Sequence, residues 1–282
     1  MRIAICFFGQ IRKGGAKAVP NIIRYIGDLR SHCDIFVHTW DETSIGNGVY
    51  YQTDTGPPQG DHTWFDTSLC DKDNMKEFYS MITPRIMQVE EYSIQNTKSL
   101  WGGRRFNPVT GKWNVSMWRS LQESNKSKIE YAQKNKIKYD FTVLMRADIV
   151  FGAEKTLQDD INSIYQDNVL LFGDPWNVFP RCGNTRLEDI FFVGKTEAID
   201  KFSVFSDFYS QTVGNLDDPN DPEYRDWQLY SAAWVTHHLH LEMKPLNNST
   251  MRIFTHLDVN AGTDPLDPKF GTPPGDFAVK RR

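Results

Sequence analysis

No stretch of this 282-residue chain approaches the ~20 consecutive apolar residues that a membrane-crossing helix needs. The first apolar run, Ile3 to Phe8, stops at Gly9-Gln10 without a small-residue cleavage site, which argues against a signal peptide. The four cysteines, Cys6, Cys33, Cys70 and Cys182, are scattered and form no Cys-x-x-Cys pair. Together these absences set a reduced, cytoplasmic location as the expectation. Basic charge is not in excess either. The formal net charge is −4, and the Lys126–Lys138 cluster shares its helical stretch with Glu130. A solvated helix face explains that cluster better than a nucleic-acid patch, so no nucleic-acid partner is expected.

Several reaction signatures are also missing. Gly14-Gly15 lacks the Lys-Ser/Thr that a phosphate-cradling loop places after its glycines. No serine sits in a Gly-x-Ser-x-Gly elbow. His237-His238-x-His240 has no cysteine or acidic partner at zinc spacing.

What is present is an ordinary globular balance, 39% hydrophobic and 24% charged. Aromatic residues reach 13% with eight tryptophans, enough for a large core or for stacking on sugar rings. Ile3-Ala4-Ile5-Cys6-Phe7-Phe8 is continuously apolar, as a strand buried on both faces must be. A glycine-rich turn follows, then a helix expected over Val19 to Arg30, then a strand over Asp34 to Trp40. Strand, helix, strand in that order implies a right-handed crossover and a parallel sheet.

The alternation continues. Helices are expected near Asn74 to Ile82, Val115 to Asn135 and Thr196 to Tyr209, and another after Asp221-Pro222. Strands are expected at Arg85 to Val89, Phe141 to Met145, Asn168 to Phe172, Asp189 to Val193, Leu241 to Lys244 and Arg252 to Phe254. The fold expected is α/β, a mostly parallel sheet flanked by helices. Its domain organisation is one unit over residues 1–260 with an extended tail over 261–282 rich in Pro and Gly.

Open α/β sheets bind ligands beyond the carboxyl ends of their strands. Polar residues at those ends are therefore the candidates: Gln10 and Arg12; Trp40, Asp41 and Glu42; Arg146 and Asp148; Asp174, Trp176 and Asn177. Asp148 is the sharpest. A hard divalent cation bridging a diphosphate takes one or two carboxylates from protein, and a buried strand delivers one rigidly. Arg146, two residues earlier, leaves a regular strand by the same face, where it can meet phosphate or pair with Asp148. Asn125 interrupts the apolar stripe Trp118, Leu121, Ile129 of its helix. It either bonds to a nearby backbone carbonyl or faces a ligand pocket.

Three segments, RIAICFFGQIR, DIFVHTW and YDFTVLMRADIVF, in that order, resemble a group of bacterial and viral glycosyltransferases of the GT-A fold. The later EDIFFVGKTEAIDKF is similar to a strand-and-helix region of the same group. The resemblance implies that Phe8, Gly9, Gln10 and Arg12, with Trp40, Asn125 and Arg146, line the nucleotide and diphosphate end of a sugar-nucleotide donor. It implies Asp148 as the last acidic residue of a metal-binding Asp-x-Asp, with His256 completing coordination of Mn²⁺ or Mg²⁺. Here the first position of that motif is Arg146, a departure that bears directly on the metal. Glu188-Asp189 resembles the acidic pair beyond the acceptor loop, which in an inverting enzyme makes Asp189 the base that deprotonates an acceptor hydroxyl, as on a glycan. Two other classes compete with this reading: a binding module that kept the fold without the chemistry, and a sugar nucleotidyltransferase. The second lacks its expected Gly-rich, Lys-containing segment near the first strand.

Overall fold

The apolar opening run forms a strand, β1 (Ile3–Phe8), with every residue buried. It belongs to a computed structural model that describes residues 1–11, 13–41, 72–91, 111–164, 167–173, 190–205, 234–246, 251–253, 262 and 264–266. Chain order continues through α1 (Lys13–Ile26), a 3-10 segment (Gly27–His32), β2 (Cys33–Asp41), α2 (Lys72–Ile82), β3 (Ile86–Glu91) and α3 (Gly111–Asn135). Then come β4 (Phe141–Arg146), β5 (Ile149–Phe151), α4 (Leu157–Ser163), β6 (Val169–Phe172), β7 (Phe191–Lys195) and α5 (Thr196–Ser203). A short π turn (Trp234–His238), β8 (Glu242–Pro245) and β9 (Met251–Ile253) complete the elements.

Seven strands form one sheet in the order β3-β2-β1-β4-β7-β6-β8, and β5 pairs with β9 apart from it. The pairs β3–β2, β2–β1, β1–β4 and β6–β8 are parallel, while β7 runs against both β4 and β6. The sheet is thus mostly parallel, with the carboxyl ends of β1, β2, β3 and β4 on one edge.

Two-residue alternation sorts the core. Ile3, Ile5 and Phe7 pack with Val19, Ile22 and Ile26 of α1, while Ala4, Cys6 and Phe8 pack with Trp118 and Leu121 of α3. Both faces of β1 are therefore covered, which is why its sequence is continuously apolar. Each Val, Ile, Leu or Phe among them, fully withdrawn from water, contributes roughly 1.5–3 kcal/mol. Burial also pushes the Cys6 thiol up to about 12, so it behaves as a small hydrophobe.

The helix expected over Val19 to Arg30 begins earlier, at Lys13, and ends at Ile26 before the 3-10 segment. Gly14 and Gly15 are not a turn. They open α1, and Gly15 lets it approach the end of β4: a Cβ on Gly15 would lie 3.4 Å from the Ala147 Cβ. The seven-residue helix α4 was not expected from periodicity; it is short and is started by Thr156, whose Oγ1 accepts the Asp159 N–H at 3.3 Å. The second half of the helix expected over Thr196 to Tyr209 and most of the one after Pro222 lie outside the described residues. Among the described residues no helix is long and apolar enough to cross a membrane.

Candidate active site at the carboxyl edge of the sheet

β4 ends in Arg146, and the chain turns through Ala147-Asp148 into β5. Arg146 Nε donates to Asp148 Oδ1 at 2.8 Å and Nη2 to Oδ2 at 2.7 Å. This is a two-point guanidinium–carboxylate pair, the strongest geometry for these groups. The Asp148 side chain is 3% exposed and that of Arg146 20%, so the pair sits at the surface with its carboxylate sealed. Ala147, between them, faces the other way onto Gly15, which brings the first turn of α1 against this corner. The free N–H groups of a helix's first turn favour negative charge beside them. The Arg146 N–H donates to the carbonyl of Ile190 at 3.0 Å, tying the corner to the start of β7.

In register with Arg146 across the β1–β4 ladder stands Phe8, buried in the α3-side core. The chain then turns at Gly9, whose φ of +86° suits glycine and strains other residues. Beyond the strand end the backbone must find new partners, and two side chains supply them. The Gly9 N–H donates to Ser120 Oγ of α3 at 2.7 Å, and the Ile11 N–H to Thr39 Oγ1 of β2 at 3.2 Å. Gln10, between them, is half-buried.

Beneath this turn lies a polar network. His38 Nδ1 is 2.9 Å from Ser120 Oγ, and its Nε2 is 3.2 Å from Glu90 Oε2 on β3. Arg119 grips Glu90 with Nε and Nη2, at 3.2 and 3.1 Å. The hydrogen bond from His38, then that from Arg119, hold the Glu90 carboxyl below its ordinary range against the effect of burial. Trp40 stacks edge-on against His38, with ring centroids 5.1 Å apart. The edge thus collects Phe8, Gly9, Gln10, Trp40, Arg146 and Asp148 at the ends of three adjacent parallel strands.

Asn125 lies elsewhere, in a buried polar cluster between α3 and α5. Its Nδ2 donates to Asp200 Oδ1 and Ser203 Oγ, both at 2.9 Å. The buried Lys128 ammonium also reaches Asp200, close to Thr142 in the amino-terminal half of β4. The contacts observed for Asn125 are thus side-chain bonds from α3 across to α5, not a bond to a nearby backbone carbonyl. Arg12, Glu42, Asp174, Trp176, Asn177, Glu188, Asp189 and His256 lie outside the described residues.

No protein-family model and no curated protein matches the chain. Among solved structures it is similar to mouse xyloside xylosyltransferase 1 in its apo form, with a TM-score of 0.39 and 8% identity over 86% of this chain and 84% of that one. It is also similar to the apo-form glycosyltransferase GlyE of Streptococcus pneumoniae TIGR4, with a TM-score of 0.38 and 8% identity over 86% of this chain. The similarity spans 44% of the length of GlyE.

A divalent cation does not fit the described residues of this corner. Both Asp148 oxygens already accept from Arg146 and the carboxylate is 3% exposed, so a metal ligated there would stand beside the charge of the guanidinium paired to it. Among the described residues no group of three His, Cys, Asp or Glu could hold a metal.

Ser120, His38, Glu90 and Arg119 were not singled out from sequence. Ser120 and His38 are 82 positions apart, and a serine within an amphipathic helix carries no pattern of its own. The one usable signal was that His38 shares a strand face with Trp40, already a candidate.

Proposed function

We propose that this chain is a glycosyltransferase that moves a sugar from a nucleoside diphosphate sugar to a hydroxyl acceptor on a glycan. The observation that supports it most is the Arg146–Asp148 pair at the carboxyl edge of the parallel strands, beside the Gly9 turn and the first turn of α1. Diphosphate charge gathers where backbone N–H groups and a guanidinium converge. In this reading Asp148 holds Arg146 in place, and Arg146, Arg12 and the first turn of α1 stabilise the departing diphosphate. Gly9 and Gln10 border the nucleotide, with Phe8 supporting them from below and Trp40 beside them.

Chemically, the bond between the sugar's anomeric carbon and the diphosphate oxygen breaks, and the electron pair leaves with the diphosphate. The acceptor oxygen forms the new bond, and its proton passes to the Asp189 carboxylate. Charge neutralisation is assigned to arginine rather than to a metal.

The test is a thermal-shift panel of nucleoside diphosphates and their sugars, followed by turnover of the hit. A donor at 100 times its dissociation constant should stabilise the protein by ~2.7 kcal/mol. Asp148→Asn, which keeps the side-chain volume, should abolish both transfer and donor hydrolysis while the protein still melts cooperatively. Unchanged turnover in that variant sinks the proposal. Binding of a nucleoside diphosphate without sugar release would instead identify a binding module.

A further inference from the structure

The polar network under the β1 turn has the order of a nucleophilic triad, Ser120, His38, Glu90, with steps of 2.9 and 3.2 Å. Ser120 is fully buried, however, and its oxygen already accepts the Gly9 N–H, so no substrate carbon can reach it. The arrangement calls for another role.

Its proton accounting suggests one. Ser120 Oγ has a single proton and two lone pairs, and it faces three partners: the Gly9 N–H, His38 Nδ1, and the His38 carbonyl oxygen at 3.0 Å. With the hydroxyl proton on Nδ1, His38 is neutral and gives its Nε2–H to Glu90. With the hydroxyl turned to the carbonyl, His38 is an imidazolium that donates from both nitrogens. In each state one Ser120 lone pair stays on the Gly9 N–H. The charged groups around the imidazole are Glu90 on β3 and, further out on α3, Arg119 and Glu123, which pair with one another. The anchor on Gly9 therefore survives either charge state of His38, and its outer end is fixed to β3 through Glu90, which Arg119 of α3 grips.

We infer that Ser120, His38 and Glu90 form a positioning relay. From the far side of β2 it sets the conformation of the Gly9–Ile11 turn, and through that turn the groups that the β1 end offers to a nucleoside diphosphate. The ligand rests on the function proposed above; the relay rests on the geometry alone.

The experiment measures amide hydrogen exchange by NMR in wild type, Ser120→Ala and Glu90→Ala, and titrates each with uridine and guanosine diphosphates. Ser120→Ala should speed exchange at Gly9 by about tenfold, the equivalent of one lost hydrogen bond, and lower the melting temperature by no more than that one bond accounts for. Glu90→Ala, which touches neither Gly9 nor Ser120, should speed Gly9 by about threefold. Nucleoside diphosphate affinity should fall in the same order. Exchange at Gly9 equal to wild type in either variant overturns the relay. So does a fall in melting temperature well beyond one hydrogen bond's worth, the mark of plain destabilisation. A freed turn with wild-type affinity overturns its positioning role. If wild type binds neither nucleotide, the functional reading falls while the exchange data still decide the relay.

Discussion

Arg146 holds both carboxylate oxygens of Asp148, at 2.8 and 2.7 Å, so the corner is neutralised within the protein itself. Mn²⁺ should therefore leave the melting temperature of wild type unchanged. Arg146→Asp, which writes an Asp-x-Asp into the same strand end, should gain a Mn²⁺-dependent stabilisation, about 2.7 kcal/mol once the ion is at 100 times its dissociation constant. Differential scanning fluorimetry with and without Mn²⁺ decides it. Wild type responding as the variant does would show that the pair opens to admit a metal.

The Lys128–Asp200 pair is lopsided: Lys128 is 1% exposed and Asp200 32%. Removing the cation leaves a carboxylate that water can reach, whereas removing the carboxylate strands an ammonium in the core. Lys128→Met should cost no more than about 1 kcal/mol, and Asp200→Ala about 3–5 kcal/mol. Urea denaturation of the two variants reads the difference, and equal losses would contradict the asymmetry.

Acid should unfold the protein partly through Asp34 and Glu90. Burial raises the Asp34 carboxyl, but hydrogen bonds from Arg85, Tyr139 and Arg2 outweigh it and bring the group below its ordinary value. Glu90 is lowered as well. A carboxyl lowered in the folded state contributes stability above its unfolded pKa and loses it as pH falls through the folded one. The decline should begin below about pH 4–4.5 and continue downward. Arg85→Gln should flatten that limb in a pH series of melting temperatures; a limb of unchanged slope would remove Asp34 from the account.

Two glycines at this edge should respond differently to alanine. Gly9→Ala forces a side chain onto a left-handed φ of +86° and should cost roughly 1–2 kcal/mol. Gly15→Ala meets Ala147 at 3.4 Å, an ordinary contact, and gains helix propensity of up to about 1 kcal/mol. Its stability should be equal to or above wild type by urea denaturation, and a loss comparable to that of Gly9→Ala would mean that α1 cannot yield there.

Much of the edge was readable because each strand declares itself locally. Ile3–Phe8 is continuously apolar, Phe141 to Met145 repeats the pattern, and Arg146 and Asp148 break it where the strand stops. The start of α1 was not readable, since Gly14-Gly15 has the composition of a turn. What Gly15 packs against is Ala147, which lies far away in sequence. The Ser120–His38 contact was hidden for the same cause: the partners meet only through the crossing of α3 over β2. Strand direction was hidden too. Buried apolar runs look alike whichever way they point, and the reversed β7 follows from chain path rather than composition.

That reversal has an outcome for how such a protein can diversify. Because β7 runs against β6, the chain departs at Gly173 and comes back at Ile190 on one and the same rim, where Gly173 donates to Phe191 at 2.9 Å and Ile190 accepts from Arg146 at 3.0 Å. A parallel neighbour would have demanded a crossover to the opposite rim. Here the chain between them can be lengthened or trimmed without re-threading a single strand, since both of its ends already lie on that rim.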